Sequence, residues 1–181
     1  MDEKQYSKLI DKEVQNLPIY VYYYTQQPNL AVTTIYQYLT EYRRFFDWLR
    51  NTPADVEDPK KGNLSNAKSN KEIELSTLEH LRAVDIQSYL KFLSVRENKQ
   101  FTRDSKKTIN RTINALRSLY HYLTVTADVE DGEPYFYRNV MLKVPIEKGT
   151  KESIAYRNAK YQPMLYTGEK KHAWLDFLSN T

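Results

Sequence analysis

Apolar residues recur at helical spacing along most of the chain. Between 105 and 123, Ile109, Ile113, Leu116, Tyr120 and Leu123 follow at steps of four, three, four and three, along one side of an α-helix. Thr33 or Thr34 is expected to cap a second long helix over 33–50. Its stripe is Ile35, Leu39, Tyr42, Phe46 and Leu49, with Tyr38 and Phe45 on the flank, and Asn51-Thr52-Pro53 ends it. Residues 3–15 predict a short helix with Tyr6, Leu9, Ile10 and Val14 inward. Pro18 suits the first position of another, where its missing N–H costs nothing. The β-branched and tyrosine-rich run 19–24 would suit a strand equally, but no second strand is in view to pair with it, and it is assigned to helix. Asp85 is the expected cap of a helix with Ile86, Tyr89, Leu90 and Leu93 inward, and 98–104 lead from it to Ser105, the expected cap of the 106–123 helix.

Polar segments separate these elements. Residues 53–72 carry two prolines and the only glycine of the first half, and predict an exposed, disordered loop. Residues 127–139 form a turn-rich connection, VMLKV (140–144) a short helical turn stopped by Pro145, and 146–153 a linker. Two short helices are expected at 153–161 and 169–179, the last with Trp174, Leu175, Phe177 and Leu178 as its apolar face. No internal repeat is visible. The pattern predicts an all-α fold, with a helical domain over 1–145 and a linker region over 146–181.

Composition narrows the function classes. Four glycines leave no room for a phosphate-cradling loop, and the absence of cysteine removes disulfides and thiol catalysis and fits an intracellular protein. No apolar run approaches the roughly 20 residues of a membrane span, and the first residues lack the order of a secretory signal. The expectation is a cytoplasmic protein with no membrane partner. Sixteen tyrosines are unusual; each offers apolar area with a polar tip, suited to helix interfaces or to a ligand.

Charge adds the sharpest signal. At about 100° per residue, Lys107, Arg111, Asn114, Ser118 and His121 fall opposite the apolar stripe of the 106–123 helix. From Lys99 to Leu123, six Lys or Arg face one acid, Asp104, so the segment nets +5 where the whole chain nets +4. A solvated face usually mixes both signs; a rigid basic face with an amide suits a nucleic-acid groove. On the 33–50 helix, Gln37, Thr40 and Arg44 lie opposite the stripe, with Arg43 at the margin. Arg43, Arg44, Lys106, Lys107, Arg111 and Arg117 are the candidate phosphate contacts. Gln37, Asn114 and Arg111 are the candidates for base edges, because amides pair with adenine and guanidinium with guanine. Taken singly, each is more often a solvent-facing charge.

Enzyme signals are scarce. His80, His121 and His172 stand far apart with no companion at metal-ligand spacing, acid pairs fall in loops, and no nucleophile elbow occurs. No metal, cofactor or catalytic residue is expected. The run PYFYRN (134–139) reads most simply as packing a C-terminal extension onto the bundle.

TTIYQYLTEYRRFFDWL (33–49), VDIQSYLKFL (84–93), TINRTINALRSLYHYL (108–123) and GEPYFYRNVMLKV (132–144) together resemble the N-terminal half of a tyrosine recombinase of the Xer type, which resolves chromosome dimers. The 53–72 segment is longer than the equivalent loop expected. The resemblance implies a SAM-like core-binding domain of four main helices, followed by short C-terminal helices. Such a domain forms one jaw of a clamp around duplex DNA, with two helices crossing the major groove at 33–50 and 105–123. It also implies contacts with other recombinase protomers. The family's catalytic Arg, Lys, His-x-x-Arg and nucleophilic Tyr belong to a further domain; no His-x-x-Arg occurs here, so the chain is expected to grip DNA without cutting it. A helical adaptor whose basic faces bind acidic proteins is the rival reading, and a small nuclease or transferase a weaker one.

Overall fold

The computed structural model describes residues 2–95 and 106–146. Six α-helices follow in order: α1 (Glu3–Val14), α2 (Ile19–Thr25), α3 (Val32–Asn51), α4 (Leu75–His80), α5 (Ala83–Val95) and α6 (Lys106–His121). Among the described residues there is no strand, and the fold is an all-α helical bundle. The expected Ser105 cap, the 98–104 connection, the helices at 153–161 and 169–179, and all but Ile146 of the 146–181 linker lie outside the described residues.

Local chemistry fixes where the helices start. Asp2 accepts from the Gln5 amide at 2.8 Å while the Gln5 side chain accepts from the Asp2 amide at 2.9 Å, a capping box for α1. Pro18 stands one residue earlier than expected, as the cap of α2 rather than its first residue, and 19–24 is helix, not strand. The cap of α3 is Ala31, not Thr33 or Thr34. Leu30 and Ile35 flank it at the positions of a hydrophobic staple and both pack into the core, so apolar burial rather than a side-chain oxygen sets this start. Asp85 is not a cap either. It sits in the first turn of α5, where its carboxylate accepts from the Arg82 amide at 2.8 Å and from Arg82 Nε and Nη2 at 3.1 and 3.0 Å.

The 53–72 segment corrects a larger expectation: it is folded onto the end of α3. Ser65 is buried, and Leu64 and Ala67 pack against the core. The Ser65 amide donates to Leu49 O at 3.0 Å and the Leu64 amide to Thr52 O at 2.8 Å. Arg50 donates to the carbonyls of Ala67 and Lys68 and to Asn70 Oδ1, satisfying loop acceptors that would otherwise face water. Two 3₁₀ turns, Pro59–Lys61 and Asn70–Glu72, lie within it.

Tyrosines supply much of the core. Tyr20, Tyr24, Tyr42, Tyr89 and Tyr120 are buried with Leu39, Phe45, Phe46, Ile86, Leu116 and Leu119. Their hydroxyls tie elements together. Tyr42 on α3 donates to Ala115 O of α6 at 2.9 Å, Tyr120 on α6 to Leu78 O of α4 at 2.8 Å, and Tyr20 on α2 to Ile73 O at 3.1 Å. Phe45, Trp48 and Tyr89 join α3 to α5, with ring centroids 5.0 and 5.1 Å from Tyr89.

After α6 the chain makes one π-helical turn, Tyr122–Thr126, and reverses through Asp131-Gly132, both at positive φ. It then returns over α6. Phe136 is buried with its ring 6.1 Å from Tyr120, Arg138 donates to Glu79 O, and the 3₁₀ turn Val140–Lys143 buries Val140 and Met141. The PYFYRN run thus packs the C-terminal segment onto the bundle.

Candidate nucleic-acid interface

The outer face of α6 follows from its inner one. Ile109, Thr112, Ile113, Ala115, Leu116, Leu119 and Tyr120 are buried, so the opposite arc turns outward. Lys107, Asn114 and His121, seven residues apart, run along its centre and are exposed; Arg111 is exposed beside them, as is Lys106 at the helix start. From Lys106 to His121 there is no acid.

On α3, Gln37 is exposed, while Thr40 is half-buried with its hydroxyl donating to Tyr36 O at 3.2 Å. Arg44 is half-buried and bends back to Glu41, its Nη1 reaching the two carboxylate oxygens at 3.3 and 3.2 Å. Glu41 is only 1% exposed. Across the helix interface, Arg111 Nε donates to Glu41 Oε1 at 3.0 Å and Thr112 Oγ1 donates to Oε2 at 2.8 Å. One buried carboxylate therefore holds a guanidinium from each helix. Gln37 lies one turn before Glu41, and Lys107 and Asn114 one turn to either side of Arg111. The polar faces of α3 and α6 meet there as one basic patch.

The other candidates are placed differently. Arg43 turns to α1, where its Nη1 pairs with Glu13 at 2.8 and 3.1 Å. Arg117 is half-buried and donates to Val144 O at 2.6 Å, which ties down the returning C-terminal segment. Ser118 is half-buried rather than outward, its Oγ 2.7 Å from the Tyr24 hydroxyl. Burial pushes the Tyr24 phenol above its ordinary pKa, partly countered by that bond, so it stays neutral and acts as a hydrogen-bonding group.

Glu41 and Thr112 were not among the residues the sequence singled out. Their signal is a polar residue occupying an apolar slot. Tyr38, Phe45 and Trp48 follow helical spacing with Glu41 in the gap, and Ile109, Leu116 and Leu119 do the same around Thr112. Two such gaps on neighbouring helices fill each other. Among the described residues no group of three His, Cys, Asp or Glu is placed to hold a metal, and no helix is long and apolar enough to cross a membrane.

Comparison with known proteins bears on what this patch serves. Over 170 residues, 90% of the chain, it is 42% identical to the tyrosine recombinase XerS of Streptococcus pyogenes serotypes M49, M3 and M1. The chain fits an N-terminal fragment of a Xer-type recombinase. It spans 44% of the length of those relatives. No protein-family model and no solved structure matches it. A span that leaves out only a tenth of the chain takes in α3, α6 and the returning segment.

Proposed function

We propose that this chain binds duplex DNA sequence-selectively as the N-terminal clamp of a Xer-type site-specific recombinase. In that reading α6 enters the major groove and α3 crosses beside it. Lys106, Lys107 and Arg44 contact phosphates, and Arg111, Asn114 and Gln37 reach base edges. Arg43, Arg117 and Ser118 hold the scaffold instead. The observation that carries the reading is the acid-free outer face of α6, joined to α3 through Glu41 into one basic surface. Phosphate contacts from such a surface supply affinity, and side chains on a rigid helix supply register.

The chain itself performs no strand cleavage in this reading. Cutting and rejoining through a phosphotyrosine link, assembly with other protomers, and resolution of chromosome dimers in the cytoplasm belong to the longer protein that the relatives represent. A gel-shift titration against a Xer-type palindromic duplex and a scrambled duplex of equal length tests the binding. Tighter binding of the palindrome supports it, and equal or absent binding overturns sequence selectivity. Incubation with a nicked suicide substrate, followed by a denaturing gel, should give no protein–DNA band resistant to detergent; such a band would overturn the non-catalytic assignment.

A further inference from the structure

We infer that Glu41 is a positioning residue for base recognition, holding the guanidinium of Arg111 in one orientation at the DNA-facing surface. This deepens the proposed function and rests on it.

The stereochemistry is specific. Glu41 Oε1 takes the Nε–H of Arg111 at 3.0 Å, and Nε is the part of the guanidinium nearest its own backbone. With Nε so engaged, the Nη1/Nη2 edge points away from Glu41, and the Arg111 side chain remains 44% exposed. That edge is a planar two-donor fork, the shape that pairs with guanine O6 and N7. An unrestrained arginine on a helix surface would lose rotamer freedom on binding; Glu41 removes part of that loss beforehand. The carboxylate is itself fixed, because Thr112 Oγ1 holds Oε2 at 2.8 Å and Arg44 Nη1 spans both oxygens.

The charge balance gives the inference a distinctive sign. A carboxylate beneath a phosphate-binding surface opposes non-specific attraction to DNA. A helix pair selected only for affinity would do better without it. Its place at this buried site is accounted for if orientation, and so discrimination between sequences, is what it serves.

Glu41→Gln separates these roles. The probes are a duplex enriched by the parent chain from a random-sequence pool and a scrambled duplex of equal length. The variant should bind the scrambled duplex at least as tightly as the parent, since a negative charge is gone. Its preference for the enriched duplex should fall by about tenfold, the weight of one bidentate base contact. A parallel gain on both duplexes would reduce Glu41 to a charge screen, and an unchanged preference would likewise overturn the inference while leaving the proposed function standing. A parent that enriches no duplex overturns the proposed function first.

Removing a buried partner of two arginines can unfold the chain, so Arg111→Lys provides a second arm. It keeps the positive charge and leaves Glu41 bonded to Thr112 and Arg44, but has no Nε and no fork. It should lose the same preference; retention of the preference would overturn the inference. In the double variant the two losses should not add, because both remove one oriented contact; additive losses would contradict it. The Arg111 Nε–H resonance of the parent gives a readout without substitution. It should be slow to exchange with solvent and stay so on DNA binding, and rapid exchange would show that Glu41 does not restrain it.

Discussion

Lys107 and Arg111 lie one helical turn apart on the same face of α6, yet they are held differently. Arg111 is anchored to Glu41, whereas Lys107 is exposed with no hydrogen-bond partner among the described residues. A flexible ammonium suits a phosphate and an anchored fork suits a base. Lys107→Ala should therefore weaken enriched and scrambled duplexes alike and flatten the dependence of log K on log[salt] by roughly one unit, the loss of a single phosphate contact. Filter binding across a salt series measures it, and unchanged affinity on both would take Lys107 off the DNA. The buried tyrosines carry a prediction of another kind. Burial pushes the phenols of Tyr20, Tyr42 and Tyr120 above the ordinary value of 10.0. A folded-state pKa above the unfolded one contributes stability in full below pH 10 and loses it as pH rises through the folded values. Phenolate absorbance should thus titrate in two stages. The second stage belongs to this buried set, which ionises only with loss of helical circular dichroism at higher pH. A single stage without unfolding would contradict the tyrosine core.

At the scale of elements, the bundle rests on α3 and α6. Leu116 is fully buried in the middle of α6, opposite the basic face. Leu116→Ala should cost about 2–5 kcal/mol in chemical denaturation; a parent-like midpoint would mean that the inner and outer faces are reversed. The long helices were legible in the sequence because each buries a stripe wide enough to show its period. Helix starts were less so. At Ala31 no side chain caps the helix, and Leu30 and Ile35 pack against the core where Thr33 or Thr34 was expected to cap, while Asp85 acts from inside the first turn instead of ahead of it. Helix α4 has six residues and one buried side chain, Leu78, too little for periodicity to register. The 53–72 segment reads as disordered because much of its order comes from backbone hydrogen bonds and from Arg50, and its two core-packed apolar residues, Leu64 and Ala67, are too few to show a pattern. Of the candidate site, charge pattern picked out the exposed face of α6. It could not separate Arg111, which faces outward from an anchor, from Arg117, which serves the Val144 carbonyl.

At the scale of the whole molecule, the chain joins an acid-free helix face to a second helix through one buried carboxylate, and it is 42% identical over 170 residues to recombinases more than twice its length. Duplex DNA binding is the claim on which the rest depends, and its salt dependence tests it most directly. Each phosphate neutralised by a cation releases counterions worth a slope of about −0.9 in log K against log[salt] on B-form DNA. If Lys106, Lys107 and Arg44 each meet a phosphate, affinity of the chain for its enriched duplex should fall with a slope of roughly −3, and further if Arg111 joins them. A helical adaptor for acidic proteins would bind that duplex weakly, without preference over a scrambled one. A slope near zero on duplex DNA, or no measurable binding at low salt, would contradict the account.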